Sequence, residues 1–161
     1  MKIDLPELQG DPIYVAREKC KLAAEQVNGR VITEDTSLVF NALGDMPGPY
    51  IKWFLDSCKH EGLNRILNGF DDKSCYALTV VAYFDGQEIH VFEGRTAGKV
   101  VPARGEKAFG WDPIFECTEG EVSGKTYAEM SAEEKNSISH RGRSFRQLKE
   151  HISKNNGAIF Y

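Results

Sequence analysis

No apolar run in the 161 residues approaches the roughly 18 that cross a bilayer as a helix, so a helical membrane protein is excluded, and the opening residues do not read as a secretory signal. Cysteine is scarce. The four residues Cys20, Cys58, Cys75 and Cys117 lie far apart and form no C-x-x-C pair, which excludes a zinc ribbon and favours reduced thiols in the cytoplasm over a disulfide framework. Positive charge is in deficit, with 20 Lys and Arg against 24 Asp and Glu, net −4. A broad basic grip on nucleic acid is therefore not expected, and any phosphate recognition must be local. Neither a phosphate-binding G-x-x-x-x-G-K-[ST] loop nor a dinucleotide G-x-G-x-x-G is present; G-x-S-x-G and H-E-x-x-H are missing too.

What is present suits one soluble domain. Hydrophobic residues make up 41% and charged residues 27% of the chain, enough for a core at this length. Asp11-Pro12 reads as a helix cap followed by proline in the first turn. Ile13, Ala16, Cys20, Ala24 and Val27 then recur at helical spacing, and Asn28-Gly29 stops the helix. "RVITEDTSLVF" reads as a strand with Glu34-Asp35-Thr36 at or near its end. A Pro-Gly-Pro turn leads into an amphipathic segment, and a second short helix is expected from Gly62 to Leu67. "SCYALTVVAYFDGQEIHVFEG" predicts a hairpin around Asp85-Gly86, with its first strand apolar on both faces and so covered on both sides. Ser131 with Glu134 forms a capping box, Ser139 caps the next helix, and "KNNGAIFY" is a short tail. This order predicts a mixed α/β domain.

Four acidic residues stand where folding alone gives them little to do: Glu7, Glu34, Asp35 and Asp112. Clustered carboxylates repel and are costly to desolvate, so they commonly hold a cation, and Mg²⁺ suits carboxylates, waters and substrate phosphates. For "TEDT" alone, a solvated turn competes equally with a metal site. Lys19, Lys52, Lys135 and the His140-Arg141 pair supply donors suited to phosphate or to a base edge. His60, His90 and His151 read as ordinary histidines. Phe109 and Trp111, beside Gly110 and Asp112, form either a buried aromatic turn or a wall for a flat ligand.

In combination, "LPELQG", "TEDTSLVFNALGDMPGPYIKWF", "FGWDPIF" and "TYAEMSAEEKNSISHRGRSF" strongly resemble the inosine triphosphate pyrophosphatase family over nearly the whole chain. The resemblance implies an α/β fold, an elongated two-lobed domain around a curved mixed central sheet with flanking helices, as a homodimer. It implies hydrolysis of ITP, dITP or XTP to the monophosphate and pyrophosphate, with Mg²⁺ and Mn²⁺ as the alternative ion, and no nucleic acid or membrane partner. Carried onto this sequence, Glu7 and Asp35 match metal-binding acids, with Glu34 beside them. Lys19, Thr36, Lys52, Phe109, Gly110, Trp111, Asp112, Lys135, His140 and Arg141 match nucleotide contacts, and Asp35 or Asp112 would be the catalytic base. The chain is read as a single domain, residues 1–161, lacking the family's N-terminal strand, T/S-G-N-x-x-K turn and helix. The alternative is a catalytically impaired nucleotide-binding homologue.

Overall fold

The computed structural model describes residues 3–106 and 109–156; part of the expected tail, residues 157–161, lies outside the described residues. The first element, α1 (Pro12–Val27), begins where the sequence predicts. Asp11 Oδ1 accepts from the amides of Ile13 and Tyr14, both at 3.0 Å, and Asn28 ends the helix at φ 53°, a left-handed conformation that asparagine tolerates better than most residues. One face, carrying Val15, Ala16, Cys20 and Ala23, is buried. It packs on β1 (Val31–Phe40) and β3 (Ser74–Phe84).

The sheet has five strands in the order β2-β1-β3-β4-β5, with β2 at Pro47–Gly48, β4 at Ile89–Val100 and β5 at Phe115–Cys117. Every pairing among the described residues is antiparallel, which corrects the expected mixed sheet. A parallel pair needs a crossover carried over a sheet face. Here α2 (Ile51–Ile66) packs by β2 and the Asp112–Ile114 turn, so β1 and β3 meet by reversal. The β3–β4 hairpin forms as predicted, with its turn one residue later: the Asp85 amide donates to the Glu88 carbonyl, leaving Gly86 and Gln87 as the loop. β3 is covered by α1 on one face and α4 (His140–Asn156) on the other, as its doubly apolar pattern requires.

A second correction bears on function. Glu34, Asp35 and Thr36 are not at a strand end; they pair with Val81, Val80 and Thr79 in mid-ladder. Because β2 meets β1 only at Leu38 and Val39, Val31–Ser37 has no ladder partner on its outer side among the described residues. The polar break is thus a polar edge, open along seven of the ten residues of β1.

The α2 segment carries the expected second helix in altered form. Lys59, at φ 58° and ψ −175°, breaks the segment into two helical pieces, and the piece beyond it is the expected short helix, which ends at Ile66. That backbone region is nearly restricted to glycine and costs about 1–3 kcal/mol. α3 (Ala132–Ile138) has the predicted capping box, and Ser139 Oγ caps α4 by accepting from the Gly142 amide at 3.0 Å. Two apolar clusters hold these elements. Leu38, Phe40, Leu63, Phe115 and Tyr127 form one, while Ala16, Cys20, Leu78 and Val80 form the other beneath α1. All four cysteines are unpaired thiols. No helix among the described residues is long and apolar enough to cross a membrane.

Candidate functional site

Along a strand, alternate side chains face opposite sides of the sheet. Asp35 shares its face with Val80, toward α1, and Glu34 and Thr36 take the other side. On the α1 side, Lys19 Nζ lies 3.2 Å from Asp35 Oδ1 and 3.7 Å from Glu7, and Lys52 at the start of α2 lies 3.8 Å from Glu7. Four predicted residues therefore converge from a loop, α1, β1 and α2. Glu7, Lys19 and Asp35 line a cavity of about 250 Å³ that also includes Tyr50 and the half-exposed Trp53. Burial raises the Asp35 pKa; Lys19 opposes this, and the neighbouring charges of Glu7 and Glu34 add to it.

Asp35 Oδ2 is buried with no hydrogen-bond partner. An orphaned carboxylate oxygen is costly, and here it sits beside a second acid. Glu7 and Asp35 form an oxygen donor set suited to a hard divalent cation, and Lys19 already bridges both acids with a positive charge. The residues fit a Mg²⁺-type ion. Another group of possible ligand atoms, from Asp85, Glu88 and His90, belongs to the β3–β4 hairpin. There Asp85 Oδ1 accepts from the Gln87 and Glu88 amides and Oδ2 pairs with His90, so that carboxylate is engaged in shaping the turn.

On the other side the site is built from aromatic packing. His140, at the start of α4, is buried and stacked on Tyr127, with ring centroids 5.7 Å apart and planes 8° apart, and Trp111 lies 5.6 Å away. Tyr127 Oη and His140 Nδ1 share a 3.2 Å hydrogen bond. Burial, then the positive charges of Lys135, Arg141 and Arg143, push the His140 pKa down to about 4, so the ring is neutral at pH 7. α4 reaches this position because β4 has no side chain at Gly94: a Cβ there would fall 1.9 Å from the His140 carbonyl oxygen.

Lys135 Nζ donates to Asp112 and lies 4.9 Å from the Tyr127 ring centroid. Asp112 is buried, and desolvation raises its pKa against the pull of Lys135. The aromatic segment has a split character. Trp111 is half-buried against Phe115 and Tyr127, while Phe109 is 80% exposed on a turn with Gly110 at φ 55°. His60 Nε2 holds this turn by donating to the Gly110 carbonyl at 2.7 Å. Thr36 Oγ1 lies 3.3 Å from Thr79 Oγ1. Glu34 Oε1 accepts from Arg141 Nε at 2.7 Å, which ties the β1 edge to α4.

Sequence reasoning passed over Trp53, Thr79, Tyr127 and His60 as individual site residues. Tyr127 and Trp53 sit inside quoted motifs and were legible as company. His60 had no signal, because its role depends on the bend at Lys59.

Comparison with known proteins identifies the family and the fold. A Puccinia graminis f. sp. tritici protein named inosine triphosphate pyrophosphatase is 52% identical over 153 residues, covering 94% of this chain and 78% of the relative. The solved structure of the Staphylococcus aureus Ham1 protein matches with a TM-score of 0.85 at 29% identity, covering 95% of this chain and 82% of that one. A Ham1 protein from Coxiella burnetii gives 0.84 at 26% identity, covering 94% and 81%. A nucleoside-triphosphatase / dITP/XTP pyrophosphatase from Mycobacterium abscessus gives 0.75 at 27%, covering 92% and 81%. With residues 1–151 matching the family's pattern as well, the chain belongs to the Ham1 family.

Proposed function

We propose that this protein is a Mg²⁺-dependent pyrophosphatase of non-standard purine nucleoside triphosphates, converting ITP, dITP and XTP to the monophosphate and pyrophosphate and so cleansing the nucleotide pool. The observation that carries the reading is the pairing of two unlike ends across the open edge of β1. One is a lysine-bridged pair of carboxylates with an orphaned oxygen, and the other is an aromatic stack with Arg141 beside it. Triphosphate belongs at the first end and purine at the second.

Glu7 and Asp35 would hold the ion, which supplies charge neutralisation of the triphosphate and of the departing pyrophosphate when bound. Lys19 and Lys52 would orient phosphate oxygens. Water attacks the α-phosphorus, the bond from that phosphorus to the α–β bridging oxygen breaks, and the proton of the water passes to a base. Asp35 suits this role better than Asp112: its Oδ2 is unengaged and its pKa is raised, whereas Asp112 is bound to Lys135. Thr36, Phe109, Gly110, Trp111 and Lys135 would enclose the sugar and base.

Base choice follows from donor chemistry. Hypoxanthine and xanthine carry an oxygen at C6, and Arg141 only donates hydrogen bonds. Adenine would set a donor against a donor, costing about 1–3 kcal/mol. The unpaired thiols support a reducing, cytoplasmic setting, and we read the protein as a homodimer. The test is pyrophosphate release from ITP, dITP, XTP, GTP and ATP with Mg²⁺ or Mn²⁺. Rapid release from ITP, dITP and XTP with slow release from ATP is expected; equal rates on ITP and ATP would overturn the reading.

A further inference from the structure

Glu34 was grouped in sequence with the metal-type acids, yet its side chain bonds to the other end of the site. Its Oε1 accepts from Arg141 Nε at 2.7 Å, and the Arg141 guanidinium carbon lies 5.0 Å from the Phe145 ring centroid. The guanidinium is thus fixed at one edge and over one face. Among the described residues, no acceptor is bonded to its Nη atoms. Since the Nη groups carry four of the five guanidinium donors, the hydrogen-bonding fork stays available.

Energetics argue against a purely structural role. Arg141's side chain is 63% exposed and Glu34's is 27%, and ion pairs of such exposure contribute little to stability. What the contact does supply is order. A free arginine samples many rotamers, and fixing one before the ligand arrives removes that cost from binding.

We infer that Glu34 is a positioning and specificity-determining residue: by holding Arg141 at Nε, it presents the Nη donors to the C6 oxygen of the purine. This deepens the proposed function and rests on it. Without Glu34, Arg141 swings free, ITP loses a pre-formed donor pair, and ATP loses the obstacle of a donor held against its amino group. Discrimination then falls from both sides.

The test compares wild type, Glu34→Ala and Glu34→Gln in ITP and ATP kinetics, in Mg²⁺ titrations at saturating ITP, and in calorimetric binding of IMP and AMP. Glu34→Ala is expected to raise KM for ITP about tenfold, with a smaller fall in kcat, and to reduce the ITP over ATP preference comparably. Glu34→Gln keeps an acceptor for Nε–H and should recover most of both. The half-saturating Mg²⁺ concentration and the thermal midpoint should stay at wild-type values. A raised Mg²⁺ requirement with unchanged KM would make Glu34 a metal ligand and overturn the inference. Variants identical to an active, selective wild type would overturn it while leaving the proposed function standing. A wild type that neither hydrolyses ITP nor binds IMP over AMP would remove both.

Discussion

The two ends of the candidate site are built on opposite principles. Around His140, rings stack on rings, the histidine is held neutral, and the charged pair Asp112–Lys135 is satisfied within the protein. Around Asp35, charges meet across a small cavity, one carboxylate oxygen has no partner, and burial, with the nearby charges of Glu7 and Glu34, raises the proton affinity of Asp35. The aromatic stack is satisfied without ligand, whereas the phosphate end leaves a buried carboxylate oxygen unpartnered. Substitutions should therefore separate the ends: at the phosphate end activity is lost and stability kept, and within the buried aromatic stack of Trp111, Tyr127 and His140 stability is lost with activity.

Asp35→Asn is the largest expected effect. Removing the carboxylate should lower kcat/KM for ITP about a thousandfold. Stability should hold or rise, because desolvation is the first cause of the raised Asp35 pKa and the neutral amide avoids it. Steady-state kinetics beside calorimetric melting would read both, and a variant that loses stability in step with activity would erase the contrast. Trp111→Ala is the converse. Half of the indole is packed against Phe115, Tyr127 and His140, so its loss should cost about 3 kcal/mol in urea unfolding. An unchanged urea midpoint would show that the stack does not support the fold.

Acid titration separates the ends in another way. His140 titrates near 4 when folded and near 6.5 when unfolded, so between these values the unfolded chain binds more protons. Stability is then fully present above about pH 6.5 and falls as pH drops toward 4, by on the order of 2 kcal/mol after discounting for relaxation. Carboxylates with lowered pKa, such as Glu119 bonded to Arg143, are lost on the same side but at lower pH. His140→Gln should be less stable at neutral pH and flatter between pH 6.5 and 4. Parallel urea-unfolding profiles for the two proteins would show that another group sets the slope.

The phosphate end was the more legible of the two in sequence. Short polar motifs in apolar surroundings announce themselves, so Glu7, Lys19, Asp35 and Lys52 were picked out as residues, and helix caps at Asp11, Ser131 and Ser139 set element starts by local chemistry alone. What failed was long-range. The place of Glu34-Asp35 in mid-strand depends on register with β3, and the opposite facing of the two acids follows only from that register. The antiparallel sheet depends on where α2 packs. The Glu34–Arg141 bond joins residues 107 positions apart in sequence, and the His60–Gly110 contact needs a backbone conformation at Lys59 that no side-chain preference announces.

Phe109 gives the finest test of the comparison, because it belongs to the base end by sequence yet has none of that end's packing. At 80% exposure it contributes little to the core, so Phe109→Ala should change unfolding free energy by no more than about 0.5 kcal/mol. The turn itself should persist, since the His60 bond is made to the Gly110 carbonyl, a backbone group the substitution leaves in place. If the ring closes over the purine, losing it removes a stacking partner and should raise KM for ITP about fivefold, with ATP affected alike because stacking does not distinguish the two bases. Glu34→Ala, in contrast, alters the ratio between them. A Phe109→Ala protein with wild-type KM for ITP would leave Trp111 as the only aromatic of the segment in contact with ligand, and would return Phe109 to the surface on which it sits.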